Sequence, residues 1–207
     1  MDTIGTQVDL AGGMPRNPRV INHEFGDLVE VTTRAVQGRL LLRPSPELNE
    51  IVLGILGRAL SLDLNVGLCG FTFLSNHYVM LARAASQDDL STFVGYVNGN
   101  LAKEVARLHD WHEKVWGRRY SGIQVVDEPS EVDRLKYVLA HGAKEGLVDR
   151  PCEWPGAKCL PALLEGRTLR GAWFDRSAEY RARKRGKAFD KYAFATFYEV
   201  PLVPLPG

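Results

Sequence analysis

The chain has 207 residues, of which 45% are apolar and 25% are charged, and its formal net charge is +1. This length suffices for one domain with extensions and a full hydrophobic core. No apolar run is long enough to span a membrane, and residues 1–19 lack an apolar signal core, so we expect neither membrane insertion nor secretion.

The predicted elements alternate between strands and helices. In chain order they are a strand at 28–34, a helix at 44–63, strands at 65–74 and 77–83 joined by a tight turn, a helix at 88–108, a strand at 119–126 and a helix at 129–146. Ser45 is a suitable N-cap for the first helix, and Asp88 or Asp89 for the second. Gly146 is expected to end the third helix. This order is typical of an α+β fold with a ferredoxin-like antiparallel sheet and one added helix.

The chain divides into three predicted parts. Residues 1–19 form a loose N-terminal segment, residues 20–150 the main domain, and residues 151–207 a C-terminal extension whose structure the pattern does not predict. Within the extension, residues 176–191 contain seven basic and two acidic side chains, a net charge of +5. Such a segment can bind a polyanion, but a solvated basic helix has the same composition.

One histidine of the predicted hairpin at 65–83 can be a metal ligand. Side chains alternate along a strand, so residues 77 and 79 face the same side of the sheet. His77 can present an imidazole to a metal ion there, whereas Val79 offers no ligand. From these residues alone, a hydrogen-bonded structural histidine is the favoured alternative.

The third predicted helix carries a tyrosine and a histidine on one polar face. Tyr137 and His141 are four residues apart, and Arg134 and Lys144 flank them. A nucleophile beside a metal ligand would have this arrangement, but so would a solvent-facing tyrosine packed on a lysine stem. The apolar residues predicted to pack this helix on the sheet are Leu135, Leu139, Ala143 and Leu147.

Several segments, in this order, resemble the REP-associated tyrosine transposases, the single-tyrosine branch of the His-hydrophobic-His endonucleases. The stretch FLSNHYVML at 73–81 is similar to the family strand that typically carries Asn-His-x-His. The other matching segments are VTTR at 31–34, the helix stretch at 93–100, VWGRRY at 115–120, LKYVL at 135–139, KEGLV at 144–148 and EWP at 153–155. The resemblance covers most of residues 28–160 and implies the endonuclease fold of this family.

The resemblance also implies a catalytic tyrosine. Tyr137 matches the nucleophile that attacks a DNA phosphodiester, leaving a 5′-phosphotyrosyl link and a free 3′-hydroxyl. His77 matches the first ligand of a Mg²⁺ or Mn²⁺ cofactor, and His141 stands where relatives place a polar ligand such as Asn or Gln. Val79 replaces the second strand histidine. Cleavage is therefore expected to be slow, with a rebuilt site, or lost altogether.

The implied partner is single-stranded or hairpin DNA, bound by a monomer or homodimer in the cytoplasm and at the bacterial nucleoid. Residues predicted to contact DNA are Arg34, Arg118, Arg119, Tyr120, Arg134, Lys144, Arg181, Arg183, Lys184 and Arg185. Two functions follow: a transposase that cuts and rejoins DNA, or a domesticated DNA-binding protein that no longer cuts because of Val79.

Overall fold

The computed structural model describes residues 26–186 and 188–206, so the predicted loose segment 1–19 lies outside the described residues. A four-stranded antiparallel sheet forms its centre, in the order β2-β3-β1-β4. The strands are β1 at Asp27–Arg34, β2 at Val66–Phe73, β3 at His77–Ala84 and β4 at Ser121–Val125. This is the ferredoxin-like strand order, and the predicted α+β class is confirmed.

Helices cover both faces of this sheet. On one face lie α1 at Pro46–Leu60 and α2 at Gln87–His109, and on the other α3 at Glu128–Leu139, followed by α4 at His141–Lys144. Residues alternate between the faces along β3. Tyr78 and Met80 join the core under α1 and α2, whereas Val79 and Leu81 join a smaller core under α3. His77 therefore points to the α3 side.

The helix caps match the predictions in part. The Ser45 hydroxyl accepts a hydrogen bond from the Leu48 amide and caps α1, as predicted. The prediction that Asp88 or Asp89 caps α2 is wrong, because Ser86 takes that position and accepts from the Asp89 amide. The Asp89 carboxylate in turn accepts a hydrogen bond of 2.6 Å from the Ser86 hydroxyl. Sequence spacing does not distinguish three neighbouring residues that can all cap a helix.

The third predicted helix is shorter than expected and has a break. Ala140, with φ −86° and ψ 2°, separates α3 from α4, and Gly146 ends the run with a positive φ of 68°, as predicted. Leu147 lies beyond this end and is 50% exposed, so the prediction that it packs on the sheet is wrong. Among the described residues, no helix is both long and apolar enough to cross a membrane.

The C-terminal part contains α5 at Leu160–Glu165, β5 at Arg170–Phe174, α6 at Arg176–Lys184 and β6 at Ala195–Glu199; short 3-10 turns lie at Val36–Gly38 and Pro151–Glu153. It packs on α1 through β5 and β6, and residues 157–159 and 203 form backbone hydrogen bonds with β2. Strands β5 and β6 form an antiparallel two-stranded sheet, the β5–β6 sheet, which lies on α1. Gly54 of α1 and Gly171 of β5 permit this contact, because a Cβ on either would overlap the opposing backbone.

Candidate functional site

Tyr137, His141 and Glu145 form one stripe along α3 and α4. The Ala140 amide donates to Lys136 O before the break and the Glu145 amide to His141 O after it, and the rings of Tyr137 and His141 are in edge contact across it. Residues four apart therefore remain on the same side. The Thr72 hydroxyl of β2 donates to Val138 O at 2.7 Å and joins the end of α3 to the sheet. This contact also satisfies a terminal helix carbonyl.

His77 and His141 meet between the sheet and this stripe. Their Nε2 atoms are 2.7 Å apart, and the side chains are only 4% and 1% exposed. His141 therefore lies on a buried side of the helix and not on the polar face that was predicted. Sequence spacing shows which residues share a helix side, but it does not show which other surface covers that side.

The hydrogen bonds of the pair indicate its tautomers. His77 Nδ1 lies 2.6 Å from the amide oxygen of Asn76, which can only accept, so His77 Nδ1 carries the proton. His77 Nε2 is then an acceptor, and His141 Nε2 donates to it. Nδ1 of His141 is left buried without a hydrogen-bond partner among the described residues. A buried polar atom without a partner is uncommon and destabilising.

Both histidines are held neutral by their surroundings. Burial is the main cause of the lowered pKa of His77, to about 4, and His141 and Arg34 lower it further. Burial also lowers the pKa of His141, whereas the Glu145 carboxylate opposes the shift at both rings. A neutral imidazole has a free lone pair, as a metal ligand needs, so these two side chains fit a divalent cation.

Tyr137 lies beside this pair, half-buried. Its ring makes an edge contact with the His141 ring at 4.7 Å between centroids, and Lys144 Nζ stands 4.9 Å from the Tyr137 ring centre. Burial raises the pKa of Tyr137, and the Glu30 and Glu145 carboxylates add to the shift. Within the described part of the chain, the Tyr137 hydroxyl has no hydrogen bond. It is therefore free to face a substrate.

Val79 is a core residue rather than part of an open site. Its side chain is 2% exposed and packs in a cluster with Leu28, Leu81, Val125 and Val138. On the neighbouring strands it stands opposite Thr32 and Thr72. The position that would hold a second strand histidine is thus filled by apolar packing under α3.

Three of the predicted DNA contacts surround a pocket next to His77. Arg34 pairs with His77 in the β1–β3 register and lines a pocket of about 480 Å³ together with Arg118 and Arg119. All three side chains are exposed. None of them has a carboxylate partner among residues 26–186 and 188–206. Unpaired guanidinium groups around a concave surface are suited to phosphate oxygens.

The remaining predicted contacts lie in different surroundings. Arg134 forms an ion pair with the buried Glu30 at 3.2 Å, which holds it beside the site. Tyr120 is 7% exposed and its hydroxyl is 2.9 Å from Ser91 Oγ of α2. The prediction of a DNA contact by Tyr120 is therefore wrong for this structure, because the ring is buried on the opposite side of the sheet.

The basic side chains of α6 lie away from the histidine pair. Arg176 at its start binds Glu104 of α2 with two hydrogen bonds of 2.7 Å, and α2 covers the sheet face opposite to His77. The basic residues that follow are exposed: Arg181, Arg183, Lys184 and Arg185. The structure thus separates the predicted DNA contacts into two surfaces, one beside Tyr137 and one behind the sheet.

Glu145 is the site residue that the sequence interpretation missed. Its carboxylate and the ligand nitrogens of His77 and His141 all lie within 4.8 Å of one another. The available signal was its position four residues after His141, which continues the spacing of Tyr137 and His141.

Comparison with known proteins gives likeness of structure only. No family model matches the chain, and no curated protein matches its sequence. Among solved structures, a REP-associated tyrosine transposase bound to a REP hairpin aligns with a TM-score of 0.58 and 13% identity, covering 88% of this chain and 98% of that chain. A candidate transposase from Deinococcus radiodurans R1 aligns with a TM-score of 0.40 and 14% identity, over 61% and 95% of the two chains. The first alignment shows that this chain shares the fold of that transposase.

Proposed function

We propose that this chain is a transposase-like protein that binds single-stranded or hairpin DNA and cuts it with Tyr137. The observation that carries the proposal is the convergence of Tyr137, His141 and His77 on one side of the sheet. The shared fold with a hairpin-binding transposase supports it. The unpaired arginines beside His77 supply the charge that a DNA backbone requires.

The reaction that fits this geometry is a transesterification. The Tyr137 oxygen attacks a backbone phosphorus, a tyrosyl O–P bond forms, and the bond from phosphorus to the 3′ oxygen breaks. The phenol proton is lost and the departing 3′ oxygen gains one, so the products are a 5′-phosphotyrosyl link and a 3′-hydroxyl. His77 and His141 would hold a divalent cation, which supplies charge stabilisation at the phosphate.

The proposal is tested by incubating the full chain with a labelled library of hairpin oligonucleotides and Mn²⁺. A covalent protein–DNA adduct on a denaturing gel is the expected result. Hairpin binding without an adduct would favour the second function, a domesticated DNA-binding protein that does not cut. The buried, apolar surroundings of Val79 favour this alternative, because they leave no second strand ligand.

Substituting Val79 with histidine distinguishes the two functions. We expect Val79→His to raise the rate of adduct formation about tenfold or more, since loss of a metal ligand or of its support typically costs 10–100-fold. The buried imidazole is expected to lower stability by about 1–3 kcal/mol, measured by thermal unfolding. Val79→Thr is the control, because threonine has nearly the shape of valine and adds a buried hydroxyl but no imidazole. An unchanged rate in Val79→His would show that Val79 does not limit cleavage.

The two basic surfaces are expected to contribute unequally to DNA binding. Replacing both Arg118 and Arg119 with alanine removes two charges beside the histidine pair. We expect weaker hairpin binding and a salt dependence of log K that is shallower by about 1.4–1.8, because each phosphate contact contributes roughly 0.7–0.9. The matched control is Arg183→Ala with Lys184→Ala on α6, which removes the same charge. Equal losses in the two double variants would contradict the prediction.

A further inference from the structure

We propose that Glu145 completes a cation site of two imidazoles and one carboxylate with His77 and His141, and that this site prefers a transition-metal ion such as Mn²⁺ or Zn²⁺ to Mg²⁺. The inference deepens the proposed function, on which its catalytic role rests. The binding of an ion does not depend on DNA, so the two can be tested separately.

The position of Glu145 follows from the helix that carries it. It lies one turn beyond His141, and its amide donates to His141 O at 3.0 Å. Gly146 then turns the chain away with its positive φ. Glu145 is exposed, and its carboxylate has no ion pair or hydrogen bond among the described residues. A carboxylate that could be a ligand thus lies at the edge of the histidine pair and has no lysine or arginine partner among the described residues.

The helix can thus replace the ligand that the strand has lost. Two histidines two residues apart on a strand would bind an ion from the sheet alone. Here the sheet supplies His77, and Val79 is enclosed by apolar side chains. The second and third ligands come instead from positions four residues apart on the facing helix. The proposed donor set therefore takes one ligand from the sheet and two from the helix that faces it.

The geometry of the histidine pair is close to that of a bound state. Two imidazole nitrogens at about 2.0–2.1 Å from a tetrahedral ion lie roughly 3.3 Å apart, so the observed 2.7 Å gap must open by roughly 0.6 Å. Binding also transfers the proton of His141 from Nε2 to Nδ1. The hydrogen bond from Nδ1 of His77 to Asn76 already leaves His77 Nε2 with the lone pair that an ion needs.

The donor set determines the class of ion. Mg²⁺ is bound mainly by oxygen ligands and retains several waters. Imidazole suits the later first-row ions such as Zn²⁺ better, and affinity for a site of mixed nitrogen and oxygen ligands rises from Mn²⁺ through Co²⁺ toward them. Two histidines and one carboxylate occupy three positions of such an ion and leave others open for phosphate oxygens.

Metal titration without DNA tests the inference. The full chain, stripped of metal with a chelator, is titrated with Co²⁺, and binding is followed by visible absorption and calorimetry; Mn²⁺ and Mg²⁺ are titrated by calorimetry. We expect one ion per chain, tighter binding of Mn²⁺ than of Mg²⁺, and a loss of Co²⁺ affinity of about 10–100-fold in Glu145→Gln. Glu128→Gln, the same change at an exposed residue in the first turn of α3, is expected to bind like the unmodified chain.

Other outcomes have defined meanings. Equal Co²⁺ affinity in Glu145→Gln and the unmodified chain, or no binding by the unmodified chain, would overturn the inference. Equal thermal unfolding of the variants excludes misfolding as the cause of a loss. An ion bound through Glu145 without any DNA adduct would support this site and count against the proposed cutting. A DNA adduct whose metal dependence is the same in Glu145→Gln as in the unmodified chain would support the proposed cutting and count against Glu145 as a ligand.

Discussion

Replacing Tyr137 with phenylalanine is expected to abolish the covalent DNA adduct, with a loss on the order of 1000-fold or more. In the proposed reaction the hydroxyl oxygen forms the bond to phosphorus, and no other tyrosine lies beside His141 in the described structure. Phenylalanine keeps the ring, so the edge contact with His141 is retained. Binding of the hairpin is expected to change little, because the phosphate contacts come from the arginines.

The measurement compares adduct yield on a denaturing gel with hairpin affinity in a filter or fluorescence assay. Tyr180→Phe is the matched control, since it removes a hydroxyl from a tyrosine of α6 that is 65% exposed. That variant should form the adduct at the unmodified rate. An adduct that persists in Tyr137→Phe would assign the nucleophile to another residue.

Replacing Gly54 with alanine is expected to destabilise the whole protein severely. An added Cβ would lie 2.1 Å from the carbonyl carbon and 2.2 Å from the oxygen of Ala172 in β5. Both partners are backbone atoms, so no side chain can rotate away. Helix α1 must therefore separate from the β5–β6 sheet. We expect a loss of about 3 kcal/mol or more, which corresponds to a fall in Tm of roughly 6–12 °C for a chain of this size.

The same substitution elsewhere provides the control. Gly95 and Gly99 lie on the exposed side of α2, and an added Cβ meets no atom within 4 Å at either position. Alanine is the better helix former, so Gly95→Ala or Gly99→Ala should raise stability by about 0.5–1 kcal/mol. Thermal unfolding of the variants tests both signs. A Gly54→Ala protein with the same Tm as the unmodified protein would show that the β5–β6 sheet is not tightly packed on α1.

The sequence predicted the sheet well because its signals are local. Alternating residues mark β1, a short continuous apolar run marks β3, and a serine before a proline marks the start of α1. The β5–β6 sheet was not predicted, because its two short strands are separated in the sequence by α6. Its position also depends on glycines that allow backbone contact, and such contact leaves no periodic pattern.

The site was predictable only where its geometry lies within one element. The spacing of Tyr137 and His141 placed them on one side of a helix, and the structure brings them together. The burial of His141 and its contact with His77 depend on how α3 packs across the sheet. Leu135 packs on the sheet as predicted, together with Val138, but the sequence did not indicate that β2 and β3 are the strands they cover. Glu145 was missed because its charge is typical of any exposed helix end.

The location of the three helix residues has a mechanical consequence. Tyr137, His141 and Glu145 belong to α3 and the helical turn after it, while His77 belongs to the sheet, and the Thr72 hydroxyl is one polar link between the two. An ion bound by both helix and sheet would stabilise their contact, because its binding free energy adds to the free energy of packing. Amide hydrogen exchange along α3 should then slow when metal is added. Metal binding at the proposed site and the packing of α3 on the sheet would be thermodynamically coupled.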